Sequence, residues 1–203
     1  HTVTARGPDG HAATLGYDRL VIGTGAIPLR PPIAGLDRLG PTDGVHVLHT
    51  MDDTFALLRS ITDRQARTAV IVGAGYIGLE MSEALTSRGL HVTLLEQLDQ
   101  VMPTIDADLA HVLAEHMRDR GVSVQLGTTV DAIGVDGGRL GVDTDAGRFP
   151  GDLVLVVTGV RPDTDLAAGA GAALGVRGAI AVDRHMRTNL PCGVNFWIQE
   201  CSS

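Results

Sequence analysis

The sequence contains no lysine: all 16 basic residues among its 203 are arginine. That absence excludes a Schiff-base lysine and a lysine phosphate anchor. Together with the abundance of Ala, Gly and Asp, it points to GC-rich coding rather than to a function. Cysteine is almost as scarce. Cys192 and Cys201 lie near the C-terminal end and do not form a C-x-x-C pair, so no disulfide framework and no redox role is expected of them. Aromatic residues make up only 3%, which leaves Val, Leu, Ile and Ala to build the core. No apolar run approaches the roughly 20 residues that span a bilayer, and no signal peptide opens the sequence as given. A net charge of −8 argues against nucleic-acid or anionic-membrane partners. A soluble, cytoplasmic setting is expected. H-E-x-x-H and G-x-S-x-G are both missing, and neither a carboxylate nor a cysteine joins His46 and His49 in a metal set, so no metal is expected.

What is present is an α/β pattern centred on Ala69 to Glu96, AVIVGAGYIGLEMSEALTSRGLHVTLLE. Val70, Ile71 and Val72 read as a buried strand. Gly73, Gly75 and Gly78 follow at G-x-G-x-x-G spacing. In such a turn the first glycine permits the bend, the second lets backbone approach a pyrophosphate, and the third lets helix and strand pack closely. Ile77, Met81, Ala84 and Leu85 form the expected apolar helix face, and Gly89 stands where the helix would stop. His91 to Leu95 supplies a second strand. Glu96 closes it 21 residues after Gly75, close to the interval for an acid that binds adenosine ribose. The helix start adds unpaired N–H groups and a positive dipole end for phosphates. Gln97, Leu98 and Asp99 bring no cation for a 2′-phosphate, which favours NAD(H) over NADP(H).

Along the rest of the chain, segments 1–5 and 11–15 flank Pro8-Asp9-Gly10 as a hairpin. Asp18 to Thr24 reads as a buried strand. Pro28, Pro31 and Pro32 with Gly35 read as a linker or interdomain loop. Thr50 begins a helix with Asp53 as capping-box partner, and Met51, Phe55 and Leu58 share its apolar face. Asp106 caps another helix whose stripe is Leu109, Val112, Leu113, His116 and Met117, with His116 partly buried. Val122 to Leu126 is a third parallel strand and Thr129 to Arg148 a β-meander. Leu153 to Val157 is a wholly apolar strand, and 163–174 is a weak helix or loop. Ala179 to Val182 is a short strand. The run Asn195-Phe196-Trp197-Ile198-Gln199 breaks the compositional bias and reads as a shifted frame or altered terminus as readily as a sampling accident.

Two motifs flank the glycine fingerprint: Tyr17-Asp18-Arg19-Leu20-Val21-Ile22-Gly23-Thr24-Gly25-Ala26-Ile27-Pro28 before it, and Thr158-Gly159-Val160-Arg161-Pro162 after it. In this order the three segments resemble the FAD- and NAD(P)H-dependent pyridine nucleotide-disulfide oxidoreductases over about residues 1–191. The run Leu95-Glu96, Val101-Met102-Pro103 and Asp106 looks most like the CoA-disulfide reductase and NADH oxidase branch, with ferredoxin-reductase-like members a near alternative.

The resemblance implies a Rossmann-like NAD(H)-binding domain inserted into an incomplete FAD-binding domain. The parts are a partial FAD-binding domain with crossover at 1–64, the NAD(H) domain at 65–150, a return segment at 151–191 and a divergent tail at 192–203. Gly73, Gly75 and Gly78 would hold the pyrophosphate, with Ile77 in the same site, and Glu96 the ribose. Tyr76 would cover the nicotinamide pocket, unless it is a packing tyrosine at a helix start. Glu80 would lie near nicotinamide and flavin, unless it is an exposed acid favouring the helix dipole. Gly159 would border the nicotinamide, and Thr24 and Gly25 the FAD. No catalytic residue is certain.

The family's own FAD fingerprint and redox cysteine do not precede Tyr17, and no G-D follows Pro191. The chain is therefore expected to be the middle of such an enzyme, with FAD binding weak or absent. Three functions stay open: an NADH-to-flavin oxidoreductase fragment, a non-catalytic nucleotide-binding module or pseudoenzyme complementing a flavin-binding chain, and an unrelated Rossmann enzyme. A homodimer is open too. The sequence does not identify the electron acceptor.

Overall fold

The computed structural model describes residues 1–190 and, beyond them, the backbone of Val194–Phe196. Cys192, Cys201 and the divergent tail's side chains lie outside the described residues. In chain order the strands and α-helices are β1 (Thr2–Arg6), β2 (Ala12–Gly16), β3 (Leu20–Ile22), β4 (Ala26–Pro28), β5 (Val45–Val47), α1 (Met51–Asp63), β6 (Thr68–Val72), α2 (Tyr76–Ser87), β7 (His91–Leu95), α3 (Ala107–Asp119), β8 (Ser123–Gln125), β9 (Val130–Asp136), β10 (Arg139–Thr144), β11 (Gly147–Gly151), β12 (Leu153–Val156), β13 (Val160–Pro162), α4 (Asp165–Gly169) and β14 (Val194–Phe196). They fall into two compact units. One is Pro28–Val160; the other combines His1–Ile27 with the described residues from Arg161 onward.

The larger unit has three layers. Its centre is a five-stranded parallel sheet in the order β5-β12-β6-β7-β8. The sheet is apolar on both faces, and the strand period of two sorts its residues. Ala69, Ile71, Val92, Leu94, Leu153 and Leu155 face one way, onto Leu57 of α1, Leu85 of α2 and Ala110, Ala114 and Met117 of α3. Val70, Val72, Leu95, Val154 and Val156 face the other way, onto Ile133, Leu140 and Val142. Those three residues come from the antiparallel meander β9-β10-β11, which covers the face the helices leave open.

The meander and the parallel order match the sequence-based reading. The helix faces match in part: Leu85 of α2 and Met117 of α3 are buried as expected and Met81 and Leu113 pack against the same core, but the rest of each face lies elsewhere. On α1 the buried residues are Leu57 and Ser60, while Met51 and Phe55 stand 66% and 49% exposed. On α3 they are Ala110, Ala114 and Met117, while Leu109, Val112 and His116 are exposed. On α2 they are Gly78, Ser82 and Leu85, with Ala84 outside. In all three helices a small residue sits on the buried line and lets the helix approach the sheet, so side-chain size outweighs apolarity in setting the rotation.

Ends and joints follow local chemistry. The Thr50 hydroxyl accepts from the Asp53 N–H at 3.2 Å, and the Asp53 carboxylate accepts from the Thr50 N–H at 2.7 Å, completing the capping box. Asp106 holds the N-cap position of α3 without a side-chain cap bond. The Asp152 carboxylate accepts from the N–H groups of Arg67 and Thr68 and from the Thr68 hydroxyl. Burial alone would raise this carboxyl, but these bonds and nearby Arg139 hold it below its ordinary value. The proline-rich crossing is not a free linker. Ala34 donates to Asp131 and accepts from Ile133, and Ile33 and Leu36 are buried in the meander-side core.

The smaller unit holds the β1–β2 hairpin in register Thr2↔Gly16 and a cluster of Ile22, Ala167, Ala172 and Ile180. β3 is only partly buried, with Val21 59% exposed. Ala179 to Val182 forms one isolated bridge, Leu174↔Ile180, rather than a strand. The backbone of β14 pairs parallel to β3.

His46 of β5 is 1% exposed, and its Nε2 has no hydrogen-bond partner among the described residues. Burial, aided by the Arg64 guanidinium and opposed by Asp53, pushes this imidazole from 6.5 down to about 4. The folded chain therefore keeps it neutral where the unfolded chain takes up a proton. Its contribution to stability is full above pH 6.5 and is lost as pH falls toward 4. The loss between pH 7.5 and 5 is about 2 kcal/mol. Urea unfolding at the two pH values should show this share of the pH dependence in the wild type and not in His46→Leu.

Candidate functional site

The candidate site lies at the carboxyl ends of β6, β7 and β12, where an open α/β sheet presents its crevice. β6 ends at Val72, and the Gly73 N–H donates to the Leu95 carbonyl at 2.8 Å. Gly73 has φ +107, and a Cβ there would stand 2.7 Å from the Val157 carbonyl oxygen. A Cβ on Gly78 would overlap the Gly73 carbonyl. Both glycines are thus required by the turn itself. Gly75 is different. Its φ is −77 and its ψ −170, open to any residue, and a Cβ there meets nothing within 4 Å. The space beside Gly75 is vacant protein surface at the N-cap of α2. Leu79 donates to the Gly75 carbonyl, so the N–H groups of Tyr76, Ile77 and Gly78 precede the first intrahelical bond and point to the N-terminal end of α2.

Glu96 sits beneath this turn, 8% exposed. One carboxylate oxygen accepts from the Ala74 N–H at 2.7 Å and the other from the Leu98 N–H at 3.0 Å. A crevice of about 270 Å³ opens above it. Gly73, Glu96, Gln97, Thr158 and the segments Pro31 to Ile33 and Thr128 to Val130 are among the residues that line it. Every lining residue belongs to the larger unit.

The remaining candidates separate. Tyr76 is 57% and Ile77 38% exposed on the first turn of α2, and Glu80, one turn on, is exposed as well. Gly159 lies in the same unit with φ +115, and its carbonyl accepts from the Leu29 N–H at 2.9 Å. Thr24 and Gly25 belong to the smaller unit. There the Thr24 hydroxyl donates to the Asp163 carbonyl, and the Gly25 carbonyl accepts from the Asp163 N–H.

Sequence reasoning missed Ala74, the crevice-lining segments 31–33 and 128–130, and Met102. Met102 is buried at φ +47, an uncommon backbone for a non-glycine residue, and its N–H donates to the Ala74 carbonyl. A proline pair and two threonines at large sequence distance carry no local signal of a shared pocket.

Residues 1–192 match the family model described as pyridine nucleotide-disulphide oxidoreductase. An NADH oxidase of Methanocaldococcus jannaschii is 37% identical over 184 residues, covering 90% of this chain and 40% of the relative. A CoA-dependent NAD(P)H sulfur oxidoreductase of Pyrococcus furiosus is 31% identical, again covering 90% and 40%. Among solved structures, the water-forming NADH oxidase of Lactobacillus brevis bound to NADH superimposes with a TM-score of 0.83 at 34% identity, over 97% of this chain and 42% of that one. An engineered NADPH-bound form of the same oxidase gives 0.83 at 32%, with the same coverage. The chain thus spans about 40% of the length of the curated relatives it matches. Among the described residues no helix is long and apolar enough to cross a membrane.

The three glycines make separable contributions. Gly73→Ala and Gly78→Ala should each lower stability by about 1–3 kcal/mol, from backbone strain or overpacking. Gly75→Ala should leave it unchanged or slightly raised. Thermal unfolding of the nucleotide-free chain checks all three.

Proposed function

Because the chain belongs to the pyridine nucleotide-disulphide oxidoreductase family, which is FAD- and NAD(P)H-dependent, we propose that its larger unit binds NADH and delivers it to a flavin. The observation that carries this reading is the contrast within the motif: Gly73 and Gly78 are fixed by packing, while Gly75 has open space beside it at the start of α2. Two glycines of the motif are explained by the fold, and the third is explained by a ligand that must reach the backbone there. The N–H groups of Tyr76 to Gly78 and the positive end of α2 suit a pyrophosphate. The crevice over Glu96 suits the adenosine ribose. In this reading Tyr76, Glu80 one turn further along α2 (both exposed) and Gly159 after β12 serve the nicotinamide end. The exposure of Tyr76 leaves its ring free to cover that pocket and swing aside.

When bound, NADH supplies a hydride, and this chain's residues hold and orient the donor. In the whole protein the acceptor is FAD, reoxidised by a disulfide or by oxygen. The flavin-side positions carried here are Thr24 and Gly25, and FAD binding by this stretch alone is weak or absent. We assign the NAD(H) role to residues 28–160, wider than the expected 65–150 because β5 and β12 belong to the same sheet, and the FAD-domain part to 1–27 with the described residues from Arg161 onward. The alternative reading is a non-catalytic nucleotide-binding module that needs a partner chain.

NADH is favoured over NADPH. The engineered NADPH-bound oxidase is altered at a glycine, an aspartate, an alanine, a methionine and a proline. Counted from Gly78, the same intervals fall on Glu96, Gln97, Leu98 and Pro103. This chain keeps an acid, Glu96, at the interval of the aspartate and a neutral side chain, Gln97, at the interval where the NADPH-bound form carries arginine, which leaves a 2′-phosphate facing a carboxylate without a cation.

Isothermal titration should give an NADH affinity at least about tenfold above that for NADPH. Gly75→Ala should weaken NADH binding by a similar factor with no loss of melting temperature; an unchanged affinity would sink the reading. NADH oxidation by the chain with added FAD separates an enzyme from a non-catalytic module.

A further inference from the structure

Glu96 is built into its surroundings at every polar atom. Its N–H donates to the Gln125 carbonyl at 2.9 Å, and its carbonyl accepts from the Thr128 N–H at 2.8 Å. Its carboxylate holds the N–H groups of Ala74 and Leu98. Ala74, fully buried, is fastened on its other side as well, where its carbonyl accepts from the Met102 N–H at 2.9 Å. The Leu98 carbonyl in turn accepts from the Gly127 N–H at 2.9 Å. Three segments therefore meet at one residue: the glycine turn and the turn after β7 on its side chain, and the exit from β8 on its backbone. Without the carboxylate, the buried Ala74 N–H between Gly73 and Gly75 has no acceptor, a costly state for a buried donor.

We propose that Glu96 is a positioning residue that clamps the glycine turn through Ala74, and that it sets dinucleotide affinity through the turn and not only through the ribose hydroxyls. The inference rests on the reading of the larger unit as an NADH site. The carboxylate presets the conformation of the turn that carries Gly75 and leads into the first N–H groups of α2, so ligand binding does not have to order them. A carboxylate oxygen that accepts one N–H retains a second lone pair, so the clamp and a ribose contact are compatible.

The two roles differ in what they require of the ligand. The probes are NADH and an NADH whose adenosine ribose is 2′,3′-dideoxy, titrated into wild type, Glu96→Ala and Glu96→Gln. If the clamp operates, Glu96→Ala weakens both ligands by a comparable factor of about ten or more, the scale of one charge-assisted hydrogen bond. Glu96→Gln, which keeps one acceptor oxygen, falls between for both. A loss confined to the hydroxyl-bearing ligand overturns the proposal.

Amide hydrogen exchange of the nucleotide-free chain is the second readout. The Ala74 and Leu98 amides should exchange faster in Glu96→Ala while Val70 and Ile71 of β6 stay protected. Unchanged protection at Ala74 also overturns the clamp. If wild type binds neither ligand, the NADH reading fails and the proposed effect on affinity falls with it, while the exchange result still decides whether Glu96 holds the turn.

Discussion

No side chain fits between the first turn of α2 and the end of β6. That exclusion, at the approach of Gly78 to the Gly73 carbonyl, fixes much of what surrounds it. It sets the rotation of α2, so that Gly78, Ser82 and Leu85 form the buried line. The Ser82 hydroxyl donates to the Gly78 carbonyl at 2.7 Å, satisfying a polar group on a line that must stay narrow. With those residues inward, Tyr76, Ile77 and Glu80 are left outward at the helix start, where their side chains remain available to a ligand. The same approach directs the helix N-terminus across the carboxyl end of the sheet, so packing and electrostatic polarity are set by one contact.

The sheet makes that contact durable because it is buried on both faces. Helices cover one face and the meander the other. The meander also borders the candidate site: its first strand follows Thr128 and Thr129, which line the crevice, and it receives the crossing segment at Ala34. Glu96 lines the same crevice and completes the hydrogen bonding of the glycine turn.

The parallel strands, the glycine turn, the capping box at Thr50 and the meander were legible in the sequence because each is a local or periodic pattern. The rotations of the helices were not. Met51, Phe55, Leu109 and Val112 are apolar and periodic, yet they face outward, because Ala110, Ala114, Gly78 and Ser60 give closer contact with the sheet. Residues 179–182 have the composition of a strand, but only Ile180 finds a bridge partner. The crossing at residues 31–36 carries the marks of a loop, and its packing depends on β9, about a hundred residues later.

The sequence by itself determined the α/β architecture, the position of the glycine turn and the identity of the acid that follows it. These depend on backbone sterics, side-chain period and residue spacing, all expressed within a few tens of residues. Only the tertiary structure decided which glycine of the turn has open space beside it, that Glu96 holds Ala74, which residues line the crevice, and that the buried His46 finds no partner for Nε2 among the described residues. Each of these depends on an atom brought near from far along the chain, and a local pattern does not specify its distant partner.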